Sequence, residues 1–229
     1  MVTAIIPARG GSKGIKNKNV VDFLGKPLIS YTVEQALEID SIDNVYVSTD
    51  SERIAKVSRE YGAEVIERPE ELATDTATTE SALLHSLEYL REVEGIDPDI
   101  LVLLQCTCPL RRREDLKEPI RKVSEDKYDS VLSVCEDHKF YWRKGSDTAE
   151  PVNYEPENRP MRQEVETKYF ENGSIYVFRT EILEENECRL GGKIGIHEMP
   201  KHLSFDIDTP EDLEIITQVG KKYEFFCKD

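Results

Sequence analysis

Short apolar runs alternate with longer amphipathic segments along most of the chain. The apolar runs have the length of β-strands and lie at residues 3–7, 44–48, 64–67, 99–105, 130–134 and 174–178. Between them, apolar residues recur at three- and four-residue spacing, as on one face of an α-helix, and residues 78–95 form the clearest such segment. The alternation predicts a three-layer α/β/α sandwich with a mostly parallel sheet.

One stretch, residues 136–168, breaks this alternation. It carries the aromatic and basic run HKFYWRKG, several prolines and only weak periodicity. We expect an excursion from the core that serves either as a substrate lid or as a subunit-contact arm. Because the chain has no internal repeat and no low-complexity linker, we predict one domain over residues 1–229 with this excursion inside it.

The chain is strongly acidic, with a formal net charge of −16 over 229 residues. Nucleic acids and anionic membranes bind basic surfaces, so we expect neither as a partner. No apolar run approaches the roughly 20 residues that cross a bilayer, and the amino terminus lacks the features of a signal peptide, which favours a cytoplasmic protein. The five cysteines are odd in number and irregularly spaced, which predicts free thiols rather than disulfides or a structural metal.

In so acidic a chain, a compact basic loop after the first strand is informative. The loop reads ARGGSKG and is followed by Lys18 and Asn19. Its small residues let backbone amides converge on an anion, and Arg9 and Lys13 add full charges on either side of Ser12. At the carboxyl end of a strand such a loop suits a triphosphate. It matches neither common phosphate-loop fingerprint, and the alternative is a flexible basic turn on the surface.

Two aspartates, Asp206 and Asp208, precede the last predicted helix. If Phe205 and Ile207 point into the core from a strand end, both carboxylates share the opposite face. Such a pair suits Mg²⁺, which prefers oxygen ligands and bridges substrate phosphates. The alternative is that Asp208 only caps the helix.

Further polar candidates follow the later strands. Gln105 ends an apolar run, at the position where open α/β sheets bind ligands. The arginine run at residues 111–113 looks like a second basic cluster, part of which would only be solvated. Arg162 and Gln163 lie near the end of the excursion, where an arginine fork suits a carboxylate. Ordinary surface charge is the alternative for this last pair.

Taken in order, these segments resemble the acylneuraminate cytidylyltransferase family, which includes CMP-sialic acid synthetases and their legionaminate relatives. The resemblance runs nearly end to end and rests on IIPARGGSKGIKNKN, GKPLISYT, VSTDSERIA, RPEELATDTATTESAL, LLQCTCPLR, YFENGSIY and SFDIDTPEDL. It implies a nucleotide-binding, Rossmann-like sheet and a homodimer in which the excursion is a dimerisation insertion.

The resemblance also implies roles for individual residues. CTP would be bound by Arg9, Ser12, Lys13, Lys18, Asn19 and Thr79, with Asn19 and Thr79 reading the cytosine. The sugar would be bound by Gln105, Arg162, Gln163 and Tyr176, and the partner subunit would complete the sugar pocket. Asp206 and Asp208 would hold Mg²⁺, and catalysis would depend on Arg9, Lys13 and Asp208.

The implied reaction joins CTP to an acidic nine-carbon sugar, whose anomeric hydroxyl attacks the α-phosphorus and expels pyrophosphate. N-acylneuraminate is the sugar that we expect first. Some bacterial members carry a sugar-binding arginine where this chain has Phe170, so legionaminate or another acidic keto-sugar is the alternative. An alternative of another class is a catalytically silent nucleotide-binding module, against which the joint presence of Arg9, Lys13 and both aspartates counts.

Overall fold

The computed structural model describes residues 1–223, apart from the side chain of Arg162. The strands in chain order are β1 (Val2–Pro7), β2 (Asp22–Phe23), β3 (Lys26–Pro27), β4 (Asn44–Thr49), β5 (Glu64–Glu67), β6 (Ile100–Leu104), β7 (Ser130–Asp137), β8 (Trp142–Lys144), β9 (Ala149–Pro151), β10 (Lys168–Arg179) and β11 (Ile194–Glu198). The helices are α1 (Leu28–Leu37), α2 (Glu52–Glu60), α3 (Thr79–Tyr89), α4 (Arg113–Ser124), α5 (Thr180–Asn186) and α6 (Pro210–Lys222). Each apolar run that predicts a strand forms one, or most of one. Across residues 1–223, no helix combines the length and apolarity needed to cross a membrane.

Seven strands form the main sheet, in the order β11-β7-β10-β6-β1-β4-β5. β1 pairs in parallel with β4 and β6, β4 with β5, and β7 with β11. β10 runs antiparallel to both of its neighbours, β6 and β7. The predicted mostly parallel sheet is therefore confirmed. β10 reverses direction because the chain returns from the excursion beside β7 without the crossover helix that a parallel pair needs.

Helices cover both faces of the sheet, and the alternation of side chains divides the core into two clusters. In β1, Ala4 and Ile6 pack with residues of α1, α2, α4 and α6 on one face. Ile5 packs with residues of α3 and α5 on the other face. β6 is buried along its whole length, as a strand covered on both faces must be. The three-layer α/β/α sandwich is confirmed.

The excursion leaves the main sheet after β7 and returns in β10. It is narrower than the predicted residues 136–168, because β7 extends through Asp137 and β10 begins at Lys168. Between these strands, β8 and β9 form a separate two-stranded hairpin. Residues 141–150 of this hairpin are exposed throughout. The excursion therefore contributes little to the core.

Candidate active site

The carboxyl ends of β1 and β6 border a cleft of about 290 Å³. Open α/β sheets bind their ligands at this position. The cleft is lined by Pro7, Arg9, Ser12, Lys13, Gly14, Lys18, Asn19, Thr79, Gln105, Cys106, Thr107 and Asp208. The structure thus brings together predicted site residues that lie far apart in the sequence.

The basic loop after β1 is anchored by hydrogen bonds on either side of Arg9. Ala8 N donates to Ser48 O (2.9 Å), and Gly10 N donates to the Asp50 carboxylate (2.8 Å). Asn19 is buried and donates from Nδ2 to Arg9 O (3.0 Å), so its side chain supports the loop. These contacts hold the first part of the loop against β4.

Gly14 brings the loop against the segment that carries the two aspartates. A Cβ at this position would overlap the backbone carbonyl oxygen of Asp208, so the approach requires glycine. Lys18 joins the same two segments, because its Nζ donates to Ile207 O (2.9 Å) and to Asp208 Oδ1 (3.0 Å). The basic loop and the aspartate segment therefore form one wall of the cleft.

The aspartate segment is held differently from what the sequence predicts. Ile207 is buried and its N–H donates to Thr107 O (2.9 Å), whereas Phe205 is 38% exposed. The expectation that both apolar residues point into the core from a strand end is wrong, because the segment pairs with the loop after β6 and belongs to no strand. With Ile207 anchored, Asp208 lines the cleft, and Asp206 lies beside it without lining it.

The alternative role for Asp208, as the cap of α6, is also wrong. Thr209 is the cap: its Oγ1 accepts from Asp212 N (3.2 Å), and the Asp212 carboxylate accepts from Thr209 N (2.8 Å). This reciprocal capping box satisfies the start of the helix. The Asp208 carboxylate pairs with Lys18 at the cleft.

The two aspartates fit a divalent cation. Desolvation, followed by the charge of Asp208, raises the pKa of Asp206, against a lowering hydrogen bond from Thr107. A bound cation would offset both the burial of this carboxylate and the charge of Asp208, and carboxylate oxygens are the ligands that Mg²⁺ prefers. Within residues 1–223, no third acidic, histidine or cysteine side chain joins them as a metal-binding group. Further ligands would therefore be substrate oxygens and water.

The two cations of the loop pair with a residue that the sequence reasoning missed. Asp75, in the threonine-rich loop before α3, lies 2.7 Å from Lys13 Nζ and 3.1 Å from Arg9 Nη2. The hydrogen bond from Lys13 contributes most to lowering the pKa of Asp75, and the charges of Lys13 and Arg9 add to it. The pairing joins the segments that follow the carboxyl ends of β1 and β5, which are far apart in the sequence, so local sequence carries no signal of it.

Arg68, also missed, lines a neighbouring cavity with Arg9, Thr79 and Asp75. It is buried, and it donates from Nη2 to Ser48 O (2.6 Å) and from Nε to Ser48 Oγ (3.1 Å). Burial lowers the pKa of Arg68 to about 10. Arg68 directly follows β5. Gln105 was selected because open α/β sheets bind ligands at the carboxyl ends of their strands, and the same reasoning would have identified Arg68.

The arginine run at residues 111–113 is not a second anion-binding cluster. Arg111 is fully buried and donates from Nε to Ser174 Oγ (2.9 Å), from Nη1 to Thr32 Oγ1 (3.1 Å) and from Nη2 to Gln105 O. It therefore supports the loop after β6 from inside the core. The next two arginines pair with acidic residues outside the cleft. The sequence interpretation missed this because burial of an arginine depends on neutral acceptors from distant segments.

The predicted sugar-binding residues do not all meet. Gln105 lines the cleft, but Tyr176 is buried in β10, where its hydroxyl donates to Glu171 and its ring stacks 4.4 Å from the Arg189 guanidinium. Burial, followed by the hydrogen bond to Glu171, raises the pKa of Tyr176. Gln163 is exposed on the excursion, with its amide 3.5 Å from Met161 Sδ. The side chain of Arg162 lies outside the described part of the chain.

The described cysteines are free thiols. Cys106 and Cys108 are buried in the loop after β6, and burial raises the pKa of each thiol to about 12. Both are therefore neutral at physiological pH. Cys108 Sγ donates to Asn172 O (3.3 Å), which ties the loop to β10.

A mostly parallel sheet with a basic loop after β1, and with two aspartates held beside the loop after β6, is an arrangement that suits α/β proteins that bind nucleotides. The cytidylyltransferase family model matches residues 3–228. The chain therefore belongs to the cytidylyltransferase family, as the resemblance in its motifs predicts.

Individual relatives agree with this assignment. The chain is 36% identical over its whole length to N-acylneuraminate cytidylyltransferase A of Danio rerio, but it spans only 53% of that protein. It is 31% identical to post-translational flagellin modification protein B of Campylobacter coli and spans 98% of it. The structure of a CMP-2-keto-3-deoxy-manno-octonic acid synthetase complexed with CTP superposes with a TM-score of 0.71 over 97% of this chain and 99% of that one, at 19% identity. This last likeness shows the fold.

Proposed function

We propose that this protein is a cytidylyltransferase that transfers CMP from CTP to an acidic sugar of the sialic-acid type. The observation that carries the proposal is the cleft in which Arg9, Lys13 and Asp208 converge. Membership of the cytidylyltransferase family and the names of its relatives support CTP as the nucleotide and an N-acylneuraminate as the acceptor.

In the proposed reaction, the anomeric hydroxyl oxygen of the sugar forms a bond to the α-phosphorus of CTP. The bond from that phosphorus to the bridging oxygen of the β-phosphate breaks, pyrophosphate leaves, and the hydroxyl proton passes to solvent. Transfer of this kind depends mostly on positioning and charge neutralisation. Arg9, Ser12 and Lys13 would hold the phosphates, and both cations would offset the charge that grows on the leaving pyrophosphate.

The nucleoside would lie on the Thr79 side of the cleft. Thr79 borders both the cleft and the neighbouring cavity that Arg68 lines, so a nucleotide that used both spaces would pass this side chain. Asn19 would keep its contact with Arg9 O and shape the loop around the base. This extends the roles that the resemblance implies for Asn19 and Thr79.

Asp206 and Asp208 would hold Mg²⁺, and Lys18 would orient Asp208 before the nucleotide arrives. When bound, the cation neutralises phosphate charge and lowers the pKa of a bound hydroxyl. Burial, and to a lesser extent the charge of Asp208, disfavours the ionised form of Asp206, and a bound cation would offset both, which supports this assignment.

The sugar pocket would be shared between two copies of the chain. Gln105 borders the cleft, while Gln163 and Arg162 belong to the excursion and Tyr176 to β10, away from the cleft lining. A homodimer in which the excursion of one copy reaches the cleft of the other would complete the site. The exposed Tyr141, Trp142 and Val152 on the excursion support such a contact.

The test is pyrophosphate release from each of the four common ribonucleoside triphosphates, with Mg²⁺ and a panel containing N-acetylneuraminate, legionaminate and 3-deoxy-octulosonate. We expect release with CTP and one acidic sugar, with N-acetylneuraminate first. The Campylobacter coli relative is named for flagellin modification and not for a sugar, so the panel includes acidic sugars other than N-acetylneuraminate. Binding of CTP without release from any pair would favour the silent nucleotide-binding module instead.

A further inference from the structure

The basic end of the cleft is already paired with an anion that belongs to the chain. Asp75 Oδ2 lies 2.7 Å from Lys13 Nζ, and Asp75 Oδ1 lies 3.1 Å from Arg9 Nη2. The same loop takes a third contact, because Arg9 Nη1 donates to Thr74 O (2.6 Å). Both cations that would grip a triphosphate are therefore engaged by one loop.

This loop forms a boundary of the nucleotide site. It follows the turn Glu70–Leu72 and ends at the cap of α3, and it lines a cavity of about 290 Å³ that shares Pro7, Arg9 and Thr79 with the cleft. The carboxylate of Asp75 reaches the two cations from the cavity side. A triphosphate held by Arg9 and Lys13 must share these donors with Asp75 or displace it.

The pairing is open to displacement. The side chain of Asp75 is 47% exposed and that of Lys13 is 75% exposed, and exposed ion pairs contribute little free energy because water and salt screen them. A triphosphate with Mg²⁺ carries more charge and more acceptor oxygens than one carboxylate. Asp75 is ionised at neutral pH, as an aspartate ordinarily is, and the hydrogen bond from Lys13 lowers its pKa further.

We propose that Asp75 sets the affinity of the nucleotide site by competing with the phosphates for Arg9 and Lys13. This inference rests on the proposed function. In the empty protein Asp75 pairs with both Arg9 and Lys13, and a triphosphate must displace Asp75 from them in order to bind. After transfer, pyrophosphate leaves and Asp75 pairs with the cations again. The remaining CMP-sugar carries a single phosphodiester charge at this end, so it competes with Asp75 less well than CTP does.

The test compares Asp75→Asn with the native protein and with Asp97→Asn. Asp97 also pairs with an arginine, Arg91 (2.6 Å), and its substitution changes the net charge equally. It precedes β6, whereas the cleft lies at the carboxyl end of that strand. CTP with Mg²⁺, and pyrophosphate with Mg²⁺, are each titrated by calorimetry in the absence of sugar. We expect Asp75→Asn to bind both ligands about two- to tenfold more tightly and Asp97→Asn to match the native protein.

Any other result contradicts either the role of Asp75 or the proposed function. Equal or weaker binding by Asp75→Asn would mean that Asp75 does not compete, and weaker binding would indicate that it orients the cations instead. Tighter binding by both variants would assign the effect to net charge and overturn the proposal. If none of the three proteins binds CTP, the proposed function fails rather than the role of Asp75. Thermal unfolding of Asp75→Asn confirms that a native fold is being titrated.

Discussion

At the scale of single residues, the cleft depends on how closely the basic loop approaches the aspartate segment. Gly14 sits where any side chain would overlap the backbone of Asp208. Lys18 bridges the same gap with hydrogen bonds to Ile207 O and Asp208 Oδ1. The basic loop and the metal-binding candidates are therefore positioned relative to each other by direct contact, and not through the sheet alone.

We expect Gly14→Ala to damage the nucleotide site without unfolding the protein. The new methyl group must push the loop away from Asp208, and displacements near 1 Å cost about 100-fold in well-positioned sites. kcat/KM for CTP should fall about 10- to 100-fold. Gly11→Ala is the matched control, because a Cβ there meets nothing within 4 Å. Equal rates for the two variants would show that the close approach is not needed.

Asp208→Ala tests the cation assignment. The Asp208 side chain is 70% exposed and the helix cap belongs to Thr209, so we expect nearly native stability. Turnover with Mg²⁺ should fall on the order of 10²–10³-fold, as for loss of one charge-stabilising group. Steady-state rates and thermal unfolding check both statements. Glu211→Ala, which removes a nearby carboxylate, is the control. Full activity of Asp208→Ala would remove Asp208 from the metal site.

At the scale of elements, the sequence supports strong predictions where periodicity acts locally. The apolar run in β6 and the helical periodicity that begins at residue 78 depend on neighbouring residues, and the structure forms β6 and α3 there. Contacts that cross the fold are different. The pairing of Asp75 with Lys13 and the burial of Arg111 among neutral acceptors arise only when distant segments meet. The basic loop was predictable because all of its charges lie in one short segment.

One such contact joins α4 to the edge strand β11. Asp115 is buried at the start of α4, where its carboxylate accepts from Arg112 Nη2 (2.8 Å) and lies 3.2 Å from His197 Nε2. Burial alone would raise the pKa of Asp115, but hydrogen bonds from His197 and Arg112 lower it to about 2. The carboxylate therefore stabilises the fold only while it is ionised.

The pH dependence follows from the direction of that shift. Because the folded pKa of Asp115 lies below its unfolded value, its contribution is fully present above about pH 4 and is lost as the pH falls towards 2. We expect the native protein to lose on the order of 2 kcal/mol from this group across that interval. Urea unfolding of Asp115→Asn should show a lower free energy at pH 6 and a shallower acid decline. Parallel pH profiles for the two proteins would contradict this role.

At the scale of the whole molecule, the net charge disfavours association of two copies, whereas the exposed apolar side chains of the excursion favour it. Each chain carries a formal charge of −16, so two copies repel at low ionic strength. The excursion nevertheless exposes Tyr141, Trp142 and Val152, of which Trp142 packs edge-on against Tyr154 at 5.8 Å. A hairpin that projects from the core and presents aromatic side chains gains most by burial against another surface.

The homodimer proposed above predicts a specific response to substitution and salt. Trp142→Glu combined with Val152→Glu should shift the sedimentation mass from dimer to monomer, because burying new carboxylates at an apolar contact is costly. Val93→Glu is the control, because Val93 is 63% exposed in the segment that follows α3, outside the excursion. Raising the salt concentration should strengthen the native dimer, because salt screens the repulsion between the two acidic chains.

If the double variant becomes monomeric yet still binds CTP while its KM for the sugar rises, the excursion completes the sugar pocket and not the nucleotide site. A monomeric native protein with full activity would instead assign both sites to a single chain.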